Sequence, residues 1–320
     1  MSDGKPKRIG NASTFFIPRK EFQLLKARQM GYRYPHTTER RCEAHGIASS
    51  SRGIGSIVVD RFCIIDSTQT FLLEVRLHEL ERKRSHAELQ PTDVFIAVSD
   101  HQENGRGNGT RTWFSSSDYT CVALSFLFEV PSEMIPKSPL ITQLLAASAT
   151  QALESLTSLD SIAIKWPNDI MISSRKVGGI LAELVPMSDD SHAMIIGIGL
   201  NLDVPEDVLL AGISREGRWA PGSIKQQTGV SLPRETVWEK ISEIFLSKLS
   251  DFFSGRNIDL RPINEKQFMY GSQIRFRSSP DVPPIQGIHR GIDHLTGGIV
   301  MEQDGVVKTF HSGEIFELNS

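Results

Sequence analysis

Two apolar runs rich in β-branched residues are each interrupted by glycines: Val177-Gly178-Gly179-Ile180-Leu181 and Ile196-Gly197-Ile198-Gly199-Leu200. A glycine inside a strand packs nothing and gives up the most backbone freedom on ordering. Such a strand needs a reason for its glycines, either a bulge or a body pressed close against the backbone. The runs read as paired strands over residues 177–185 and 194–202. A bound ligand explains the glycines and so does a structural bulge, and the runs alone do not choose.

The surroundings of this pair define the fold class. Residues 56–59, 62–65, 94–98 and 121–128 are short apolar runs of strand character. Residues 138–156 put Leu140, Leu144, Leu145, Ala149 and Leu153 on one helical face. Residues 161–166 read as a strand running into a turn, and 238–253 as an amphipathic helix. Beyond Phe268 the texture is all-β, with strands expected at 273–276, 286–292, 298–303, 306–310 and 315–318. Asp304-Gly305 marks a hairpin there. The expectation is an α+β chain: a mixed-sheet domain over 56–267, then a small all-β domain over 268–320.

Residues 1–55 differ. Lys and Arg outnumber Asp and Glu eleven to four, the only helical candidate is short, around 22–30, and 48–55 is a Ser/Gly-rich linker. The stretch reads as a poorly ordered basic extension, with a transit peptide and a DNA-binding tail as rivals. It shows no pair of helices with a tight turn between them, so a helix-turn-helix is not supported.

Across all 320 residues the formal charge is −3, which gives no bias towards nucleic acid or membranes. The three cysteines, Cys42, Cys63 and Cys121, are scattered and form no CxxC pair, so neither a disulfide framework nor a metal site is expected. A reducing compartment follows: the cytoplasm, or an organelle if the basic N-terminus is an import signal. No apolar run reaches the roughly 18 residues of a membrane span.

Four stretches carry chemistry. Gly105-Arg106-Gly107-Asn108-Gly109-Thr110-Arg111, with Trp113 beyond it, follows a strand directly. Such a loop can turn backbone N–H groups towards an anion while Arg106 and Arg111 add charge, or it can be an ordinary surface loop. It is neither a Walker loop nor GxGxxG. Lys165-Trp166-Pro167-Asn168-Asp169 ends a strand in a rigid turn. Lys165 and Asp169 then stand either at the lip of a sheet that holds a ligand or as solvated charges. Lys176 heads the first glycine-bearing strand, and Asn201 ends the second, where it either reads a nucleotide or forms a turn.

The order and spacing of these stretches resemble the biotin–protein ligase family, also called holocarboxylase synthetase, from about Phe62 to the C-terminus. Asp66-Ser67-Thr68 is similar to its early (D)ST element, and Gly105-Arg106-Gly107 with Trp113 to its GRG…W loop. Residues 165–169 match its KWPND motif, 176–181 its K-hydrophobic-x-G-I-L strand, and 197–201 its GxGxN strand. Two positions depart from the pattern. Many bacterial members carry GRGRxGR where this chain has Asn108 and Gly109, and Gln69 stands where asparagine is commoner.

The resemblance implies a catalytic domain like the class II aminoacyl-tRNA synthetases followed by an SH3-like domain. It implies that Ser67, Thr68 and Gln102 hydrogen-bond biotin, that Gly105 and Arg106 cover biotin and the phosphate, and that Gly179 lies against biotin. Lys176 would contact the biotin carboxylate and the α-phosphate. Arg111, Trp113, Lys165, Asn168 and Asn201 would surround the nucleotide, with Asp169 beside the acyl phosphate.

The substrates implied are biotin and ATP with Mg²⁺, and the acceptor is a lysine on the biotin carboxyl carrier domain of a carboxylase. Activation makes a mixed anhydride with AMP and expels pyrophosphate, so fixed positive charge is needed where two anions meet. Lys176, Asp169 and Arg106 are the expected catalytic set, Asp169 as the group that orients or accepts the acceptor lysine's proton. Magnesium is expected on phosphates and water, with no protein ligand. A lipoate–protein ligase, which would lack KWPND, a biotin-sensing repressor and an inactive binding module are the competing readings.

Overall fold

Burial on both faces turns the apolar runs into one mixed sheet of nine strands: β1 (Lys7–Arg8), β2 (Thr14–Phe16), β3 (Ile57–Ile65), β4 (Val94–Gln102), β5 (Cys121–Val130), β6 (Ile162–Lys165), β7 (Asp169–Ile172), β8 (Arg175–Pro186) and β9 (His192–Asn201). The computed structural model describes residues 54–85, 93–115, 121–187, 191–212, 219–279 and 281–318, and the backbone alone of β1 and β2. The short helix expected around 22–30 and most of the linker at 48–55 lie outside the described residues.

The sheet runs β1-β2-β8-β9-β5-β4-β3, with β7 branching from β8 and β6 from β7. β3 pairs with β4 and β2 with β8 in parallel, and the remaining pairs are antiparallel. Side chains alternate as strand geometry requires. Val94, Ile96 and Val98 enter one core with Val122, Leu124 and Phe126, whereas Phe95, Ala97 and Leu127 enter the other. The runs at 56–59 and 62–65 are one strand, continuous through Asp60 and Arg61.

Among the described residues, seven α-helices complete the larger layer. They are α1 (Thr68–Phe71), α2 (Leu77–Ser85), α3 (Pro139–Thr157), α4 (Glu206–Gly212), α5 (Ile224–Thr228), α6 (Arg234–Phe253) and α7 (Arg261–Glu265). The apolar faces of α3 and α6 bury Leu144, Leu145, Phe245 and Leu249 against the first side of the sheet, with the Phe126 and Phe245 rings 4.8 Å apart. Each such side chain contributes about 1.5–3 kcal/mol through burial. On the second side, α1, a π-helical turn over Leu72–Arg76, and α2 cover Phe62, Phe95 and Leu127 with Leu72, Leu77 and Leu80.

The last part of the chain folds into an antiparallel sheet of β10 (Gln273–Arg277), β11 (Ile285–Ile292), β12 (Ile299–Gln303), β13 (Val306–Phe310) and β14 (Glu314–Phe316), in the order β13-β12-β11-β10-β14. Asp304 and Gly305 make the expected two-residue hairpin with φ values of 52° and 76°. Positive φ at both turn positions is the twist-matched arrangement, which is why Asp-Gly serves there.

This second sheet shares the first core through Ile274, Phe276, Ile292, Ile299, Met301 and Ile315, and Trp166 adds a hydrogen bond between them. Trp166 is buried, its Nε1 donates to the Gly297 carbonyl at 3.0 Å, and its ring centroid lies 6.1 Å from that of Phe276. Among the described residues no helix is long and apolar enough to cross a membrane.

Candidate active site

The end of β4, the start of α1, β7, β8 and β9 surround a cavity of about 370 Å³, which residues at the ends of β10 and β14 also line. Ser67, Thr68, Gln102, Arg106, Arg111, Trp113, Lys165, Asn168, Asp169, Lys176, Gly179 and Asn201 all reach its wall, so the expected site residues come together. Gly105 is the exception. It pairs with Trp113, whose N–H donates to the Gly105 carbonyl at 2.7 Å, and a Cβ on Gly105 would stand 2.7 Å from the Trp113 carbonyl oxygen. Its role is to let the loop close on itself.

One end of the cavity is neutral and polar. Gln102 Oε1 accepts from Thr68 N at 2.8 Å and from Thr68 Oγ1 at 3.1 Å, while Thr68 Oγ1 and Ser125 Oγ are 2.8 Å apart. Ser67 caps α1, its side chain accepting from Thr70 N. Gln69 Nε2 donates to the Leu181 carbonyl at 2.8 Å. These bonds lock rotamers, so hydroxyls and amides face the cavity in fixed positions, an arrangement suited to an uncharged heteroatom ring. Gln69 and Ser125 were not legible in the sequence as wall residues. The serine is brought in by β5, and no motif marks it.

The other feature is a charge cluster. Asp169 Oδ1 is 2.5 Å from Lys176 Nζ, and its Oδ2 is 3.5 Å from Lys165 Nζ. The register explains it: Lys165 pairs with Asp169 across the β6–β7 turn, and Asp169 lies opposite Gly179 in β8. Burial pushes the Asp169 carboxyl up, but the Lys176 and Lys165 ammoniums more than reverse that and hold it below the usual carboxylate range. A carboxylate so held is a weak proton acceptor. Its geometry is that of a group fixing two cations.

The loop over the cavity is a small hairpin. Gly107 N donates to the Arg111 carbonyl at 2.9 Å, so that amide is used within the loop and not turned to an anion. Arg106 makes a two-pronged pair with the buried Glu183 at 2.7 and 2.5 Å. Trp113 is the body that Gly179 and Gly199 accommodate, whereas Gly178 meets Leu200 and Gly197 meets Ser125 and Gln69. A Cβ on Gly199 would stand 2.5 Å from its Nε1, and one on Gly179 would stand 3.1 Å from its ring. Of the two explanations the sequence left open, both have a counterpart: a tryptophan presses on Gly179 and Gly199, and the β7–β8 register shifts between Ile170 and Met171, beside Gly178. The indole Nε1 is buried without a hydrogen-bond partner among the described residues, and Lys176 Nζ lies 5.9 Å from a Trp113 ring centre.

Both asparagines are anchored to backbone. Asn168 Nδ2 donates to the Ile180 carbonyl at 2.6 Å, and Asn201 Nδ2 to the Gly222 carbonyl at 3.0 Å. Each keeps its oxygen and its second amide N–H for a ligand. Residues 220–222 are themselves clamped to the site, since Lys176 N donates to the Ala220 carbonyl and Gly222 N to the Lys176 carbonyl, both at 2.9 Å. Trp219, Arg277 and Glu314 on the wall have no counterpart in the sequence reading. Among the described residues no three His, Cys, Asp or Glu side chains gather where they could hold a metal ion.

Comparison with known proteins bears on this arrangement. Residues 62–201 match the model of the Biotin/lipoate A/B protein ligase family. The chain is 30% identical to the bifunctional ligase/repressor BirA of Salmonella typhimurium, over 79% of this chain and 72% of that one. It is 30% identical to the protein of the same description from Escherichia coli, over 82% of this chain and 74% of that one. The fold matches a solved structure of the biotin protein ligase from Aquifex aeolicus in complex with biotin and ATP. The TM-score is 0.59 at 24% identity, covering 81% of this chain and 97% of that one.

Proposed function

This chain belongs to the biotin–protein ligase family, and we propose that it joins biotin to ATP as biotinyl-5′-AMP and passes the biotinyl group to a lysine of a biotin carboxyl carrier domain. The observation that carries the reading is the meeting, in one cavity, of the neutral Thr68–Gln102–Ser125 network with the Lys165–Asp169–Lys176 cluster. The first suits the ureido ring of biotin, and the second suits the place where its carboxylate meets phosphate.

In the activation step a biotin carboxylate oxygen attacks the α-phosphorus. The bond to the β-phosphate oxygen breaks, and pyrophosphate leaves with its electron pair. Lys176 faces the charge that builds on the α-phosphate, and Asp169 fixes its ammonium before the substrates arrive. Asp169 is thus a positioning residue. Magnesium would be held by the phosphates of the nucleotide and would offset their charge, since the Asp169 carboxylate is already engaged by both lysines.

In the transfer step the neutral acceptor amine attacks the biotinyl carbonyl carbon, and AMP leaves with the anhydride oxygen. The amine's proton passes to the departing phosphate or to solvent, since Asp169 is held ionised between two ammoniums. We place the activity in a reducing compartment, the cytoplasm or an organelle if the basic N-terminus is an import signal, because the three cysteines are scattered in the sequence and form no CxxC pair. The repressor role in the relatives' description is not carried over, because residues 1–55 show no helix-turn-helix pattern. Pyrophosphate release from ATP and magnesium tests the reading: it should require biotin, and release that ignores biotin contradicts it.

A further inference from the structure

We propose that Arg277, at the end of β10, is the residue that receives the β- and γ-phosphates of ATP, so that the C-terminal sheet completes the nucleotide site; this rests on the ligase reading above. Arg106 is committed to Glu183, and Lys165 and Lys176 share Asp169. The covering loop offers only Arg111 beyond these, because positions 108 and 109 are Asn and Gly. A triphosphate brings about four negative charges into a largely enclosed site, where opposed charge must come from fixed cations.

Arg277 lines the same cavity from the other sheet. Its guanidinium lies over the Phe316 ring, 5.5 Å from the centroid, which holds the plane in one orientation. Its Nε is buried and makes no hydrogen bond, and among the described residues no carboxylate comes within ion-pair distance. That includes Glu314, its register partner in β14. A buried N–H left without a partner is costly, and a phosphate oxygen would satisfy it. Ser278 and Ser279 follow on the same wall and add hydroxyls and amides. Lys176 already attends the α-phosphate, so a cation arriving from a second element fits the part of the nucleotide beyond it. The Trp166 bond to Gly297 and its packing on Phe276 hold β10 in place for this.

The test is calorimetric titration of the full chain, without biotin, using ATP, inorganic tripolyphosphate and AMP. Arg277→Ala should weaken ATP and tripolyphosphate about ten- to a hundredfold, and Arg277→Lys should weaken them less. AMP and biotin affinities should move less than about twofold. In turnover the KM for ATP should rise, while transfer from supplied biotinyl-AMP stays near the wild-type rate. Unchanged ATP binding, equal weakening of AMP and ATP, or a wild-type chain blind to tripolyphosphate would overturn the assignment. Unchanged biotin affinity in both variants shows that the fold is intact. The phosphate titrations need no biotin, so a failure of the ligase reading, seen as biotin-independent pyrophosphate release by wild type, is distinguished from a failure at Arg277.

Discussion

Lys176 Nζ lies 2.5 Å from Asp169 Oδ1, and the same carboxylate also faces the buried Lys165. One anion therefore compensates two cations, and the cluster keeps a net positive charge at the point where two anions must meet. Asp169 stays ionised throughout the ordinary carboxylate range. Its pKa is depressed in the folded state, so what it contributes is complete above the ordinary value and is lost only as pH falls through the lower, folded one.

Lys176→Ala should remain folded yet form biotinyl-AMP about a hundred- to a thousandfold more slowly, as expected for loss of one fixed stabiliser of developing charge. Transfer from supplied biotinyl-AMP should suffer less, and Lys176→Arg should restore only part of the rate, because a planar fork cannot replace a compact ammonium. Asp169→Asn should lower the activation rate and also cost about 3 kcal/mol of stability, since it leaves Lys165 buried without its partner. Single-turnover rates and thermal unfolding measure the two effects. A Lys176→Ala chain that activates biotin at the wild-type rate contradicts the assignment.

Gly199→Ala should displace the Trp113 indole, because the new methyl would stand 2.5 Å from its Nε1. We expect altered tryptophan fluorescence and weaker ATP binding. Combined with Trp113→Ala the substitution should add little, since neighbours in contact are not additive. A double variant that loses the full sum of both effects argues against this packing.

The sequence told much of this, and its failures have physical reasons. Strand alternation at 94–98 and 121–128, the α3 and α6 stripes and the Asp304-Gly305 hairpin are local patterns, and each was legible. The glycines of β8 and β9 called for a bulge or a close neighbour, but they could not say that Trp113 presses on Gly179 and Gly199. The helical run from Thr68 to Ser85 went unread because its apolar residues, among them Phe71, Leu72, Leu77 and Leu80, are separated by charged residues around a π-helical turn. Arg277 stood about a hundred residues from Lys176, and only tertiary packing brings both to one cavity.

Acid should loosen the C-terminal sheet before carboxylates titrate in bulk. His289 is fully buried, and burial pushes its pKa down to about 4, against the opposing pull of the Phe268, Gly291 and Met269 backbone. The unfolded chain takes up this proton near pH 6.5 and the folded one only near 4, so stability falls as pH drops between them, by at most about 3 kcal/mol. Thermal midpoints measured from pH 7 to 4 should show this slope, flattened in His289→Gln. An identical slope in the variant would assign the acid sensitivity elsewhere.

Removing residues 1–55 should leave biotin-dependent pyrophosphate release intact, because among the described residues the cavity wall begins at Ser67. The cut also removes the strand pairing of Thr14–Phe16 with Ala182–Leu184. Loss of release by a truncated chain that still folds would place a necessary residue in that segment.

The account stands most directly on a mass measurement. Purified chain, biotin, ATP, magnesium and a biotin carboxyl carrier domain are combined, and the carrier is weighed intact by mass spectrometry. The account predicts that the carrier gains one biotinyl group on a single lysine, that the gain requires both ATP and biotin, and that Lys176→Ala nearly abolishes it. A carrier that stays unmodified with active-folded wild-type chain, or one modified equally well by Lys176→Ala, would contradict it.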